Sequence, residues 1–200
     1  MKSIIKVCGI TRREDALAAV DAGATALGFI FFKGSPRYVT PEQAALLGQG
    51  LDICKVGVFV DETAASVEAE MRTARLDVAQ VYGGSVPDGV RVWRAFRMRS
   101  AGWKAGGGQD CPPHLESPAD EALLLDGAAN GQSFDWTLAR GAAERVIVAG
   151  GLDASNVAAA IRAAEAWGVD ASSRLESSPG VKDHEKIRRF VAAARQEFAC

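Results

Sequence analysis

The sequence predicts an α/β protein, a small (β/α)8 barrel spanning residues 1–200, and three observations carry that prediction. Eight short apolar runs punctuate the chain, segments with helix signals lie between most of them, and no nucleotide-type glycine-rich turn follows the first run. Alternating strand and helix requires a parallel sheet, open or closed. Continuous apolar runs suit strands buried on both faces. Eight of them favour closure, whereas an open flavodoxin-like sheet would leave several without a place. No composition shift or internal repeat marks a boundary, so one domain is expected.

The elements follow in order. The first run is 4–8, and Thr11-Arg12-Arg13-Glu14 after it has the form of a capping box. The second run, 26–31, is followed by Thr40-Pro41-Glu42-Gln43, the same pattern with proline at the first helical position. Runs three and four, 54–60 and 78–81, enclose a further helical segment. The stretch 83–89 leaves little room for a fourth helix before the run 90–96, and 102–118, rich in Gly, Pro and Ser, gives no clear fifth. Shortened or missing helices are therefore expected after strands 4 and 5. The last three runs are 122–126, 146–149 and 168–171. Val157, Ile161 and Ala164 recur at helical spacing, as do Ile187, Phe190, Val191, Ala194 and Phe198.

Bulk properties exclude several classes. Lys plus Arg number 23 against 25 acidic residues, a net charge of −2, and no basic stripe points to nucleic acid. No apolar stretch approaches a membrane span, and the start lacks a secretory h-region, so a cytoplasmic protein is expected. Cys8, Cys54, Cys111 and Cys200 are widely and irregularly spaced, which argues against disulfides. His114 and His184 are the only histidines and no Cys/His cluster exists, so no metal site is expected. Cys54 reads as a small buried hydrophobe. No strongly apolar surface face is evident, and a monomer is the default.

Strand parity then selects the chemistry. If Ile5 and Val7 pack under helices, Lys6 and Cys8 face the barrel axis. The same parity turns Ala122, Leu124 and Asp126 inward. An arbitrary cysteine is more often a buried inert thiol, and an aspartate before Gly127 is as readily a turn residue. Both, however, end strands at the barrel face where catalysis concentrates. A thiol and a carboxyl across one mouth suggest an isomerase. Arg37, on the loop after the second strand, has the fork to hold a carboxylate, although a solvated surface arginine is the default. Gly150-Gly151 after strand 7 and Ser172-Ser173 after strand 8 occupy the loops that bind phosphate in such barrels.

A run of collinear motifs makes the reading specific. Lys6-Val7-Cys8-Gly9-Ile10-Thr11, Ser35-Pro36-Arg37-Tyr38-Val39, Leu124-Leu125-Asp126, Phe134-Asp135-Trp136, Ala149-Gly150-Gly151-Leu152 and Glu176-Ser177-Ser178-Pro179-Gly180-Val181-Lys182-Asp183 span nearly the whole chain. Together they resemble the phosphoribosylanthranilate isomerases of tryptophan biosynthesis. The resemblance implies an Amadori rearrangement of N-(5-phosphoribosyl)anthranilate to 1-(o-carboxyphenylamino)-1-deoxyribulose 5-phosphate, without metal or organic cofactor. Carried over by position, Asp126 is the general acid and Cys8, as thiolate, the general base. Arg37 grips the anthranilate carboxylate, and Gly150, Gly151, Ser172 and Ser173 hold the phosphate, mostly through backbone N–H groups.

Three positions depart from the family pattern. Tyr82 stands where Gln-Leu-His-Gly usually places histidine, Gln132 lies in a loop that usually carries Gly and Lys, and Arg174 follows the serine pair in place of glycine. Two other readings compete. One is the related aminoaldose–ketose isomerase of histidine biosynthesis, which typically has aspartate where Cys8 stands. The other is a barrel that binds a phosphorylated metabolite without turning it over.

Overall fold

A computed structural model describes residues 3–85, 88–98, 120–127 and 133–199 of the chain. Eight parallel strands close into a barrel in sequence order, β1 pairing with both β2 and β8. They are β1 Ile4–Cys8, β2 Ala26–Ile30, β3 Cys54–Val60, β4 Val78–Tyr82, β5 Arg91–Arg97, β6 Asp120–Asp126, β7 Val146–Val148 and β8 Gly168–Ala171. Around them lie α1 Arg13–Ala22, α2 Pro41–Gly48, α3 Ala64–Ala74, α4 Val157–Ala164 and α5 His184–Phe198. A small antiparallel hairpin, β9 Glu176–Ser178 with β10 Val181–Lys182, was not expected and lies between β8 and α5. Among the described residues, no helix is long and apolar enough to cross a membrane.

Alternation along each strand sorts side chains into two layers. Ile5, Val7, Leu27, Phe29, Phe59, Leu123, Leu125 and Val169 point outward onto Ala16, Ala19, Val67, Met71, Ile161, Ile187 and Phe190 of the helices. Ala26, Val56, Val78, Trp93, Ala122, Leu124 and Ile147 fill the barrel interior. Each large apolar side chain so buried contributes about 1.5–3 kcal/mol. Trp93 meets Trp167 edge-to-face at 6.4 Å inside this filling. The interior is therefore packed at one end and polar at the other, where β1, β6 and β8 bring Lys6, Cys8, Asp126 and Asp170.

Local signals were read correctly at α2 and incorrectly at α1. Thr40 accepts from Gln43 N at 3.2 Å and the Gln43 amide oxygen accepts from Thr40 N at 2.9 Å, a complete capping box. The identical pattern at Thr11 fails. Arg12 is the first flanking residue of α1 and makes no side-chain cap, because Thr11 donates its hydroxyl to Gly180 O and Glu14 pairs with Arg12. A tertiary partner outcompetes the cap.

Between β4 and β5 the described residues contain no helix, as the short glycine-rich connection predicts. The segment 102–118, with Cys111 and His114, lies outside the described residues, as do Cys200 and the loop with Gln132. After β6 the described connection holds only the 3-10 turn Trp136–Ala139, capped by Asp135 accepting from Thr137 N at 3.1 Å. Strand limits move by up to two residues, leaving Phe31, Val90 and Ala149 outside β2, β5 and β7. Cys54 is half-buried against the inner cluster, and burial pushes its thiol up to about 11.

Candidate active site at the barrel mouth

At the C-terminal ends of the strands lies a cavity of about 410 Å³, and all seven residues singled out from sequence line it: Cys8, Arg37, Asp126, Gly150, Gly151, Ser172 and Ser173. They come from the ends of β1, β6 and β8 and from the loops after β2, β7 and β8, far apart in sequence but convergent because parallel strands end on one face.

Cys8 closes β1 directly opposite Gly28 of β2. A Cβ at Gly28 would stand 2.7 Å from Cys8 Sγ and 2.9 Å from Lys6 Cε, so glycine makes the room in which thiol and ammonium sit together. Lys6, two residues below on the same face, is fully buried and pairs through Nζ with Asp170 Oδ2 at 2.8 Å. The other oxygen, Asp170 Oδ1, is buried with no partner among the described residues, and Asp170 also lines the cavity. Burial pushes the Cys8 thiol up. Lys6 opposes that by its charge and by a hydrogen bond, Asp170 adds to it, and Lys182 opposes it from further off. Lys6 is the main cation favouring a thiolate here, although burial still holds the thiol above its ordinary value.

Asp126 ends β6 in register with Arg97 of β5. Burial holds its carboxyl above the usual range and the charge of Asp170 adds to the rise, against the Tyr82 hydrogen bond, Arg97 and Lys6. The phenol of Tyr82 donates to Asp126 Oδ2 at 3.1 Å. A carboxyl held in this way keeps a proton to higher pH than a solvated aspartate, as a general acid requires.

Arg37 holds a carboxylate, but one of the protein's own. Its Nε and Nη2 donate to Glu176 Oε1 and Oε2, each at 2.7 Å. Lys182 Nζ donates to the same Glu176 at 2.9 Å and to Ser172 O at 3.2 Å. Burial works to raise the Glu176 pKa, yet the Arg37 and Lys182 hydrogen bonds outweigh it and keep the group ionised. The arginine is thus neither the solvated residue of the default reading nor free of the protein. It is fixed at the cavity edge by the β9 carboxylate, and Nη1 takes no part in that pair.

Gly150 and Gly151 have φ of 91° and 65°, conformations that side-chain-bearing residues rarely adopt. Ser172 spends its hydroxyl on Cys8 O at 3.0 Å, tying the ends of β8 and β1. Ser173 opens the 3-10 turn Ser173–Leu175. None of the four backbone N–H groups finds an acceptor among the described residues. Arg174 lines the same end of the cavity, with Nη1 3.9 Å from Asp153 Oδ2.

Sequence reading missed Asp170, Gln80 and Arg97 as wall residues, and Glu176 and Lys182 as the ions behind Arg37; Tyr82, noted as a departure from the family pattern, does line the mouth. Asp170 was accessible from parity, since it precedes Ser172 by two positions on β8. Glu176 was not, because its partner lies 139 residues away and no local pattern announces it.

A family profile described as N-(5'phosphoribosyl)anthranilate (PRA) isomerase matches residues 5–193. The N-(5'-phosphoribosyl)anthranilate isomerase of Solibacter usitatus is 51% identical over 203 residues, covering 96% of this chain and 97% of that protein. Its namesake from Pelobacter propionicus is 42% identical, over 96% and 95%. The crystal structure of phosphoribosyl anthranilate isomerase from Thermotoga maritima superposes with a TM-score of 0.84 at 31% identity, over 97% of this chain and 99% of that one. A phosphoribosyl anthranilate isomerase in complex with reduced 1-(o-carboxyphenylamino)-1-deoxyribulose 5-phosphate gives 0.82 at 31%, with the same coverage.

Proposed function

The chain belongs to the N-(5'-phosphoribosyl)anthranilate isomerase family, and from that premise we propose how its barrel mouth performs the aldose–ketose isomerisation. N-(5-phosphoribosyl)anthranilate becomes 1-(o-carboxyphenylamino)-1-deoxyribulose 5-phosphate, a step of tryptophan biosynthesis. Asp126 gives its proton to the ribose ring oxygen. The C1′–O bond breaks, and the nitrogen lone pair forms an iminium at C1′. The Cys8 thiolate takes the proton from C2′, and the electron pair of that bond makes the C1′=C2′ enolamine and neutralises the nitrogen. The enol hydroxyl then loses its proton as C1′ gains one, leaving the ketone at C2′. The acid at β6 and the base at β1 reach the sugar from different walls of one cavity, and that placement carries the reading.

Binding divides between the two ends of the cavity. The amides at Gly150, Gly151, Ser172 and Ser173 receive the phosphate, which suits N–H groups without protein acceptors. Asp170 Oδ1, buried and unpartnered, accepts from a sugar hydroxyl. Arg37 meets the anthranilate carboxylate with the donors that Glu176 leaves over. Replacing Arg37 by alanine is expected to raise KM by about 10–100-fold, the weight of a charge-assisted hydrogen bond, with a smaller effect on kcat. An unchanged KM in steady-state assays would return Arg37 to a purely structural role.

The family supports this reading and lends none to the histidine-pathway isomerase or to a barrel that only binds. Product formation from N-(5-phosphoribosyl)anthranilate by the purified protein tests it; binding without product over hours would contradict it. In solution the protein is read as a monomer. The large apolar side chains exposed among the described residues, Leu17, Phe32 and Leu46, sit on α1, the loop after β2 and α2. Light scattering checks that assignment.

A further inference from the structure

Gln80 and Tyr82 share the inward face of β4, and their polar ends form a chain that finishes on Asp126. Gln80 Nε2 donates to the Tyr82 phenol oxygen at 3.2 Å, and the phenol donates to Asp126 Oδ2 at 3.1 Å. A phenol has one proton. With its oxygen taken by the Gln80 amide, that proton is turned towards Asp126. The oxygen that accepts it, Oδ2, is the poorer seat for the carboxyl proton, which leaves Oδ1 to carry it.

We propose that Tyr82, aimed by Gln80, is a positioning residue that makes Asp126 present its acidic proton on Oδ1, towards the ribose ring oxygen. The inference rests on the role of Asp126 as general acid and explains what the tyrosine in place of the family's usual histidine does. Burial, with the charges of Asp126, Asp170 and Cys8, pushes the phenol well above its usual pKa, so it stays a donor across the working range. Arg97 stacks over the ring with its guanidinium carbon 5.8 Å from the ring centre. Gln80 is buried, and the bond to the phenol is its amide's one contact, with Oε1 left without a partner among the described residues. A reversed amide would take the phenol proton itself. Asp126 could then bond the phenol only by giving up its own proton on Oδ2, away from the sugar.

The charged groups facing Asp126 are Arg97 from β5, Lys6 from β1 and Asp170 from β8, and the test leaves all of them in place. It measures kcat and kcat/KM against pH for wild type, Tyr82→Phe and Gln80→Met. The phenol stabilises the ionised carboxylate, so its removal raises the Asp126 pKa and moves the acid limb of kcat/KM to higher pH. In Tyr82→Phe that limb is expected to move up and kcat to fall about tenfold, with KM little changed. Gln80→Met is expected to move the limb in the same direction by less. A Tyr82→Phe enzyme with the wild-type acid limb and wild-type kcat overturns the proposal while leaving the acid–base pair intact. An Asp126→Asn enzyme with wild-type turnover removes the premise itself.

Discussion

Replacing Asp126 by asparagine, or Cys8 by alanine, should each lower kcat by about 10²–10⁴, the range for losing a positioned acid or base, while the barrel stays folded. Asparagine keeps the shape of Asp126 and still accepts from Tyr82, but it has no acidic proton for the ring oxygen. Alanine at position 8 removes the only group at the end of β1 able to take the C2′ proton. The two losses differ in kind: the asparagine variant stalls before ring opening and the alanine variant after it. Steady-state turnover with a circular dichroism control for folding measures both, and activity within about tenfold of wild type in either variant contradicts its assignment.

The second large effect is on stability. Lys6 is fully buried and its ammonium is the partner of Asp170 at 2.8 Å. Lys6→Met leaves a carboxylate buried without its cation, which should cost about 3–5 kcal/mol at neutral pH. That is a large part of a typical domain's stability of about 5–15 kcal/mol. The sign with pH follows from the carboxyl. Burial holds the folded-state pKa of Asp170 up, and without Lys6 only the weaker pull of the Lys182 charge opposes it. The folded state then binds a proton that the unfolded chain releases, so the deficit is small below the ordinary carboxylate range and grows as pH rises. Urea unfolding at pH 5 and pH 7 checks this. A deficit below about 1 kcal/mol at both values would show that the pair contributes little. Removing both charges, as Lys6→Met with Asp170→Leu, should recover most of the loss.

Much of this site was legible because parallel strands impose simple rules. Parity along β1 placed Lys6 and Cys8 inward from the apolar character of Ile5 and Val7 alone, and the same count on β6 placed Asp126. What stayed hidden depends on partners distant in sequence. Thr11 and Thr40 carry the same local pattern, and only the second caps its helix, because the Gly180 carbonyl claims the first. Arg37 showed its fork but not its target, since the Glu176 carboxylate reaches it from a hairpin that no periodicity revealed. Tyr82 stood out only as an oddity against the family pattern; its contact with Asp126 emerged once β4 and β6 were placed across the barrel.

The pH dependence of kcat/KM in wild type beside Asp126→Asn tests the pairing of acid and base most directly. Burial raises both groups, and the working form holds the proton on Asp126 with none on Cys8. In wild type the pair must hold one proton between them, so the rate rises as the first proton leaves and falls as the second leaves, mainly from Cys8. In Asp126→Asn only thiolate formation remains, so the residual rate should rise with pH over the range where the wild-type rate falls. A descending alkaline limb of wild-type form in the asparagine variant would contradict the account.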